Sequence, residues 1–231
     1  MKKSFPNGLP FWKRALDCTI ILLSLPLLLL AGLVVILVIR CGSRGPVLFC
    51  QERLGYKEQL FTCYKFRTMR LDAKTDSHRD HARRLIDLDL PMTKLDSTGD
   101  PRLVPFGALL RASGLDELPQ VINVLAGEMS IVGPRPCIPY EYELYSPWQR
   151  RRLEAVPGLT GLWQVSCMNR TTFNEMIRFD IEYSERASLQ LDLAIIVRTL
   201  PALWTQFRDL RPSKRMEVMA PSRIVAKPVE S

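Results

Sequence analysis

Apolar residues are spread very unevenly along this chain. Residues 18–39 (CTIILLSLPLLLLAGLVVILVI) carry no charge, and no second stretch resembles them. At about 1.5 Å per residue such a run, if helical, reaches roughly 33 Å, enough to cross a hydrocarbon core. Ser24 and Pro26 interrupt it in its first third. A proline lacks an N–H and clashes with the preceding turn, so a kink or break is expected there. The Ser24 hydroxyl stands where it can bond a backbone carbonyl that the proline leaves unpaired. Basic residues flank both ends: Lys2, Lys3, Lys13 and Arg14 before the run, Arg40, Arg44, Arg53 and Lys57 after it. Positive flanks favour the cytoplasmic side. A straight span therefore misplaces one flank, whereas a helix–break–helix entering and leaving on one face satisfies both. The residues alone leave the two forms open.

Beyond the run the pattern changes to short elements. Residues 46–53 and 59–67 are rich in β-formers and are joined by a turn containing Gly55, which predicts a β-hairpin. Residues 71–90 read as a charged surface helix and residues 92–105, with Gly99, Pro101 and Pro105, as loop. Short helices are expected at 106–111 and 119–126, the second closed by Gly127. Longer ones are expected at 140–155, 173–186 and 191–207, the last kinked or broken at Pro201. Trp204 and Phe207 suit either a core helix or an interfacial one in that last element. Many helices with few strands predict an α+β, helix-rich fold. Its parts are a membrane segment at 1–40, a catalytic domain at 41–210 and a loose tail at 211–231.

Composition narrows the function. The single apolar run among 231 residues excludes a polytopic membrane protein, and it is too long for a typical secretory signal. A formal charge of +8 fits a negatively charged partner: lipid headgroup, phosphate or nucleic acid. No helix-turn-helix or aromatic-stacking pattern supports nucleic acid. The six cysteines form no CxxC pair and read as free thiols in a reduced domain. His78 and His81, on a polar stretch without matching further ligands, read as a solvated helix face.

The strongest chemical signal is Asp116-Glu117, which precedes Pro119 by three and two positions and follows Arg111 by five and six. Prolines favour first helical turns and helix starts favour anions. An acidic pair in that setting, with Gly133-Pro134-Arg135-Pro136 close behind, suits the handling of phosphate and a divalent cation.

Ordered along the chain are Lys13-Arg14-x-x-Asp17, Gln51-Glu52-Arg53-x-Gly55, Lys65-Phe66-Arg67-Thr68-Met69 and Asp100-Pro101-Arg102. Leu115-Asp116-Glu117-Leu118-Pro119-Gln120, then Asn123 to Pro136, Pro157-Gly158-Leu159-Thr160-Gly161-Leu162-Trp163-Gln164-Val165 and Asp180-Ile181-Glu182-Tyr183 follow. In this series the chain resembles the bacterial sugar transferases, the monotopic phosphoglycosyl transferases that act on polyprenyl phosphate. The resemblance implies transfer of sugar-1-phosphate from a UDP-sugar to undecaprenyl phosphate with release of UMP. It implies Asp116 as the nucleophile of a covalent phosphosugar intermediate with Mg²⁺ at or beside it, and Glu117 as its partner. It associates Lys65, Arg67, Arg111 and Arg135 with phosphate or substrate, and it implies the re-entrant form of the apolar run, bent at Ser24 and Pro26. It further implies the bacterial inner membrane, a catalytic domain on the cytoplasmic face, and work beside downstream glycosyltransferases, with a homo-oligomer among the expected states. Two departures stand out. Val165-Ser166-Cys167-Met168-Asn169 replaces the usual Val-Ser-Gly-Arg-Asn, and Leu25 separates Ser24 from Pro26. The chain resembles the compact form of the family, and none of its residues selects a sugar. A different class of function is a catalytically inactive, membrane-anchored basic scaffold, suggested by the net charge and by Arg150-Arg151-Arg152.

Overall fold

The computed structural model describes residues 8–70, 76–92, 102–166 and 171–208. It opens with helix α1, Phe11–Gly42, which runs without a break through Pro26. Pro26 therefore does not end the helix. Ser24 donates its hydroxyl to the Ile20 carbonyl at 2.7 Å, one turn back, rather than serving the Leu22 carbonyl that loses its partner to Pro26. Such back-bonding accommodates curvature without ending a helix.

Both ends of α1 are fastened to the same globular unit. At its start Lys13 is buried, ion-paired with Asp192 and donating to the Tyr183 hydroxyl at 2.8 Å. Arg14 donates to the carbonyls of Val124 and Leu125, and Asp17 accepts the Ile131 N–H at 3.0 Å. At its far end Val35 and Ile39 pack with Phe66 and Leu110, and Arg67 donates to the Arg44 carbonyl at 2.9 Å and the Ser43 hydroxyl at 3.0 Å. Apart from Phe11, the exposed large apolar side chains of α1 all lie between Leu22 and Leu37. Attachments at the ends thus bracket an apolar middle.

The hairpin forms as expected. Strands β1, Leu48–Leu54, and β2, Leu60–Phe66, pair antiparallel with Gln51 opposite Cys63. Phe61 and Cys63 alternate inward to meet Ile21, Val124 and Met129. Helix α2, Asp76–Asp87, occupies part of the expected surface helix and buries Ala82, Leu85 and Ile86. Helix α3 spans Gly107–Ser113, a 3₁₀ helix Leu115–Gln120 and helix α4 Val121–Ala126. Strand β3, Ser130–Val132, pairs in parallel with β4, Gly158–Thr160, a pairing the pattern did not announce.

The helix expected at 140–155 is divided. Its parts are α5, Pro139–Tyr142, α6, Pro147–Arg150, and a 3₁₀ helix Arg151–Glu154. Ser146 explains the division: its N–H bonds the Gln149 side chain at 2.8 Å, and Pro147 occupies the first helical position, so a new helix starts there. Helices α7, Leu162–Ser166, α8, Phe173–Arg186, and α9, Leu189–Arg208, complete the described chain. Thr172 and Glu175 form a capping box at the start of α8. The expected kink or break at Pro201 does not end α9, which continues through it. The largest core cluster joins Tyr145, Leu153, Trp163, Phe173, Met176 and Ile177. The fold is α+β and helix-rich, and the tail beyond residue 208 and the departure at Cys167-Met168 lie outside the described residues.

Candidate active site

Asp116 and Glu117 do not precede a helix as expected; they lie inside the first turn of the 3₁₀ helix. Gly114, at φ 72°, ends α3 in the left-handed region that glycine tolerates, and its carbonyl accepts the Glu117 N–H at 3.1 Å. The chain then tightens through Pro119 and runs into α4, which Gly127 closes at φ 80°. The pair is divided by environment. Asp116 is 8% exposed, whereas the Glu117 side chain is 39% exposed and ion-paired to Lys65 at 2.6 Å. Lys65 reaches it from β2, which packs along the 3₁₀ helix. Asn123 fixes α4 to the same strand: its amide donates to Thr62 and Glu128, both at 2.7 Å, and its oxygen accepts the Tyr64 N–H. The acidic pair thereby sits on a short element braced by the hairpin and by α1.

Next in the chain comes the turn Gly133–Cys137, whose four carbonyls from Pro134 onward are all bonded within the fold. They accept in turn from Gly158 N–H, Arg152 Nη2, Arg53 Nη1 and Leu54 N–H, at 2.9 Å each. Gly133 is required because a Cβ there falls 2.3 Å from the Val156 carbonyl oxygen, and Gly158 because one there falls 2.1 Å from the Gly133 nitrogen. With its backbone tied inward, the turn presents Arg135, about one-third exposed, 3.7 Å from Glu141. Burial alone raises the Glu141 carboxyl, but Arg135, Arg53 and the Ile138 N–H outweigh it and hold the group below its ordinary value.

The buried Cys63 thiol connects the two sides. Burial pushes its pKa up, while Lys65, Arg53 and Arg135 oppose that push and Glu117 adds to it. Glu117, Lys65, Arg53 and Arg135 thus all lie within electrostatic reach of that thiol. Arg111 is half-buried on α3, one glycine hinge from the pair. Arg67 is placed differently from expectation: it is 4% exposed and spends its donors on Ser43 and Arg44. It anchors the end of α1.

The basic run also changes meaning. Arg150 lies 4.6 Å from the Tyr142 ring centroid, Arg151 pairs with Glu185 at 2.7 Å, and Arg152 is fully buried against Asp180. Burial alone disfavours the Arg152 charge, yet Asp180, followed by Tyr145, raises its pKa above the ordinary value. Only Arg152 is internal; Arg150 and Arg151 stay exposed but engaged by Tyr142 and Glu185, so the run is not a free patch of three charges. The supporting residues missed by sequence reasoning are Arg53, Asn123, Arg152 and Asp180. Their signal was the polar residue within an apolar setting, visible in Gln51-Glu52-Arg53-Leu54 and Phe179-Asp180-Ile181.

Among the described residues no group of three or more His, Cys, Asp or Glu side chains could hold a metal ion by itself. Magnesium rarely needs one, since one or two carboxylates with substrate phosphates and water make its usual shell. A buried Asp116 beside a half-exposed Glu117 fits that partial, substrate-completed kind of site.

Comparison with known proteins points one way. A family model described as bacterial sugar transferase matches residues 9–206. The exopolysaccharide production protein ExoY of Rhizobium meliloti is 38% identical over 198 residues, covering 83% of this chain and 84% of that protein. The UDP-glucose:undecaprenyl-phosphate glucose-1-phosphate transferase of Caulobacter vibrioides is 40% identical over 205 residues, covering 84% and 70%. The galactosyl transferase CpsE of Streptococcus agalactiae is 39% identical over 191 residues, but they cover 81% of this chain and only 41% of that protein.

Proposed function

The chain belongs to the bacterial sugar transferase family, and from that membership we propose that it transfers sugar-1-phosphate from a UDP-sugar to undecaprenyl phosphate. The observation that carries the proposal is the divided acidic pair, with Asp116 buried and Glu117 engaged by Lys65. In the first displacement an Asp116 carboxylate oxygen attacks the phosphorus that bears the sugar. The bond to UMP breaks and UMP leaves with its electron pair. In the second, a phosphate oxygen of undecaprenyl phosphate attacks the same phosphorus, forming the lipid diphosphate sugar and releasing the Asp116 carboxylate. Splitting one displacement between two anions into two steps is the use of a carboxylate nucleophile.

Lys65, Arg111 and Arg135 neutralise charge on the transferring group, as phosphoryl transfer requires. Arginine suits this because its planar donors bind two oxygens at once. Glu117 orients the reacting groups and keeps Lys65 in place. Asp116, with the donor's phosphates, would hold Mg²⁺, which would supply further charge neutralisation.

The membrane arrangement follows from α1. A helix crossing a hydrocarbon core has its ends about 30 Å apart on opposite faces, yet both ends of α1 dock on one globular unit. This supports a re-entrant helix whose apolar middle enters the lipid while the unit stays on one face, the cytoplasmic face of the inner membrane. It delivers the soluble donor and the embedded acceptor to the same depth. The product begins the assembly of an exopolysaccharide, capsule or O-antigen.

Membranes bearing the protein, given UDP-sugars, Mg²⁺ and polyprenyl phosphate, are expected to release UMP. The Asp116→Asn variant is expected to lose turnover by roughly 1,000-fold or more and to trap no phosphosugar adduct. Absence of UMP with every sugar nucleotide sinks the transferase reading; substantial turnover by Asp116→Asn removes that residue from the nucleophile role.

A further inference from the structure

The inward face of the hairpin is closed along most of its length and opens at one end. Phe49, Gln51 and Arg53 alternate onto that face from β1, with Lys65, Cys63 and Phe61 directly opposite on β2. Phe61 and Cys63 pack with Ile21, Val124 and Met129, and Arg53 is buried. Phe49, at the open end of the same face, is 47% exposed. Its partner across the ladder is Lys65, which sets their Cβ atoms about 4.5–5.5 Å apart. Lys65 in turn holds Glu117 at 2.6 Å, and β2 packs along the 3₁₀ helix that carries Asp116. An uncovered aromatic ring therefore stands beside the acidic pair, joined to it by one cross-strand pair and one ion pair.

The other face of this hairpin end leads to lipid. Leu48 is exposed and lies opposite Phe66, which packs with Val35 and Ile39 of α1. A Cβ placed on Gly32 of α1 would lie 4.0 Å from the Phe66 ring. Helix α1 thus meets the hairpin within its apolar run, where Leu30, Leu33, Val34 and Leu37 remain exposed. Leu48 and Phe49, adjacent in β1, stand between that apolar surface and the Lys65 ammonium. Single exposed apolar residues are ordinary on a protein surface. This one lies on a face otherwise buried, between a cation of the site and a segment that enters lipid.

A cation followed by an apolar path into the bilayer matches a phosphate at the end of a hydrocarbon chain. The acceptor has that form, and the ammonium of Lys65 has three donors, so it can serve a phosphate as well as Glu117. The donor's nucleotide is polar and dissolved in water, and gains nothing from a route into lipid. We propose that Phe49 forms the acceptor subsite, receiving the first isoprene units of undecaprenyl phosphate while Lys65 draws its phosphate toward Asp116. The proposal rests on the transferase reading, and the two halves of the reaction separate the one from the other.

The full-length protein in nanodiscs is first given a UDP-sugar alone, and the UMP of the first turnover is measured. Undecaprenyl phosphate is then added and discharge of the phosphosugar adduct is followed, for wild type, Phe49→Ser and Phe49→Leu, with melting temperature as the control for folding. Phe49→Ser is expected to release the first UMP at the wild-type rate but to need about tenfold or more acceptor for half-maximal discharge. Phe49→Leu, which keeps apolar bulk, should recover most of that loss. Unchanged acceptor dependence in a folded Phe49→Ser overturns the subsite. So does slower first release of UMP with normal discharge, which would give the ring to the donor. A second measurement needs no turnover: a photoreactive benzophenone amino acid at position 49 is irradiated in phosphatidylglycerol nanodiscs containing undecaprenyl phosphate. Capture of undecaprenyl phosphate, displaced by a shorter polyprenyl phosphate and not by UMP, is expected; capture of phosphatidylglycerol alone overturns the subsite. If undecaprenyl phosphate is captured while the wild type releases no UMP from any sugar nucleotide, the subsite stands and the transferase reading falls.

Discussion

Two basic regions of this molecule lie close together and do opposite work. Beneath the Gly133–Cys137 turn, Arg53 and Arg152 are buried and donate to the turn's own carbonyls, and Arg152 is paired with Asp180. Around the acidic pair, Lys65 and Arg135 are partly exposed and make longer or more open ion pairs with Glu117 and Glu141. The floor arginines hold shape; the rim cations remain available to a ligand. The contrast shows that a count of positive charge says little about anion binding until burial and partners are known.

The largest expected effect is at the floor. Arg152→Ala strands the Asp180 carboxylate in a dry core and should cost about 3–5 kcal/mol, read as a lower denaturation midpoint in detergent. A loss below about 1 kcal/mol would erase the distinction between floor and rim. At the rim, Arg135→Ala should cost less stability than Arg152→Ala, because Arg53 and the Ile138 N–H still serve the buried Glu141 carboxylate, but lower kcat/KM roughly 10- to 100-fold, the worth of a charge-assisted hydrogen bond. An equal fall in stability would move Arg135 to the floor.

Acid should act on the boundary between the two regions. The Glu141 carboxyl is held below its ordinary 4.5 in the folded state, so the unfolded chain takes up its proton first as pH falls. The stability it contributes is complete above 4.5 and drains away as pH drops below it. Glu141→Gln should flatten that part of the stability profile, and equal slopes for the two proteins would remove Glu141 from the balance. The smallest effect is expected for Arg186→Ala on the exposed face of α8: its i,i+4 pair with Glu182 should be worth about 0.3–0.5 kcal/mol, near the resolution of a denaturation curve.

Much of the fold was legible where the pattern is local. The hairpin shows in its two β-rich runs around Gly55, α8 in its Thr172–Glu175 capping box, and the end of α4 in Gly127. Prolines misled in three ways. Pro26 and Pro201 do not end α1 and α9, which continue through them. Pro147 does start a new helix, because Ser146 and Gln149 complete a cap around it. Pro119 sits within the 3₁₀ helix that carries the acidic pair instead of opening the next helix.

The candidate site was legible in part. Asp116 and Glu117 stood out in sequence, but not their different burial, because adjacent residues on a tight helix point in different directions. Arg67 and Arg135 both sit in motifs rich in charge and proline or aromatic residues, and nothing in either motif says which guanidinium is spent on backbone carbonyls. That depends on Ser43 and Arg44, and on Glu141, brought in by the fold.

The sequence by itself determined the family, the apolar membrane segment, the helix-rich α+β class and the acidic pair, since each rests on local residue order or on the hydrophobic pattern. Only the tertiary structure decided that α1 is docked at both ends, that Arg152 and Arg67 are internal, and that Lys65 and Arg135 share a neighbourhood with Glu117. Those facts depend on contacts between residues far apart in the chain, where burial and partners, rather than residue type, set what a charge does.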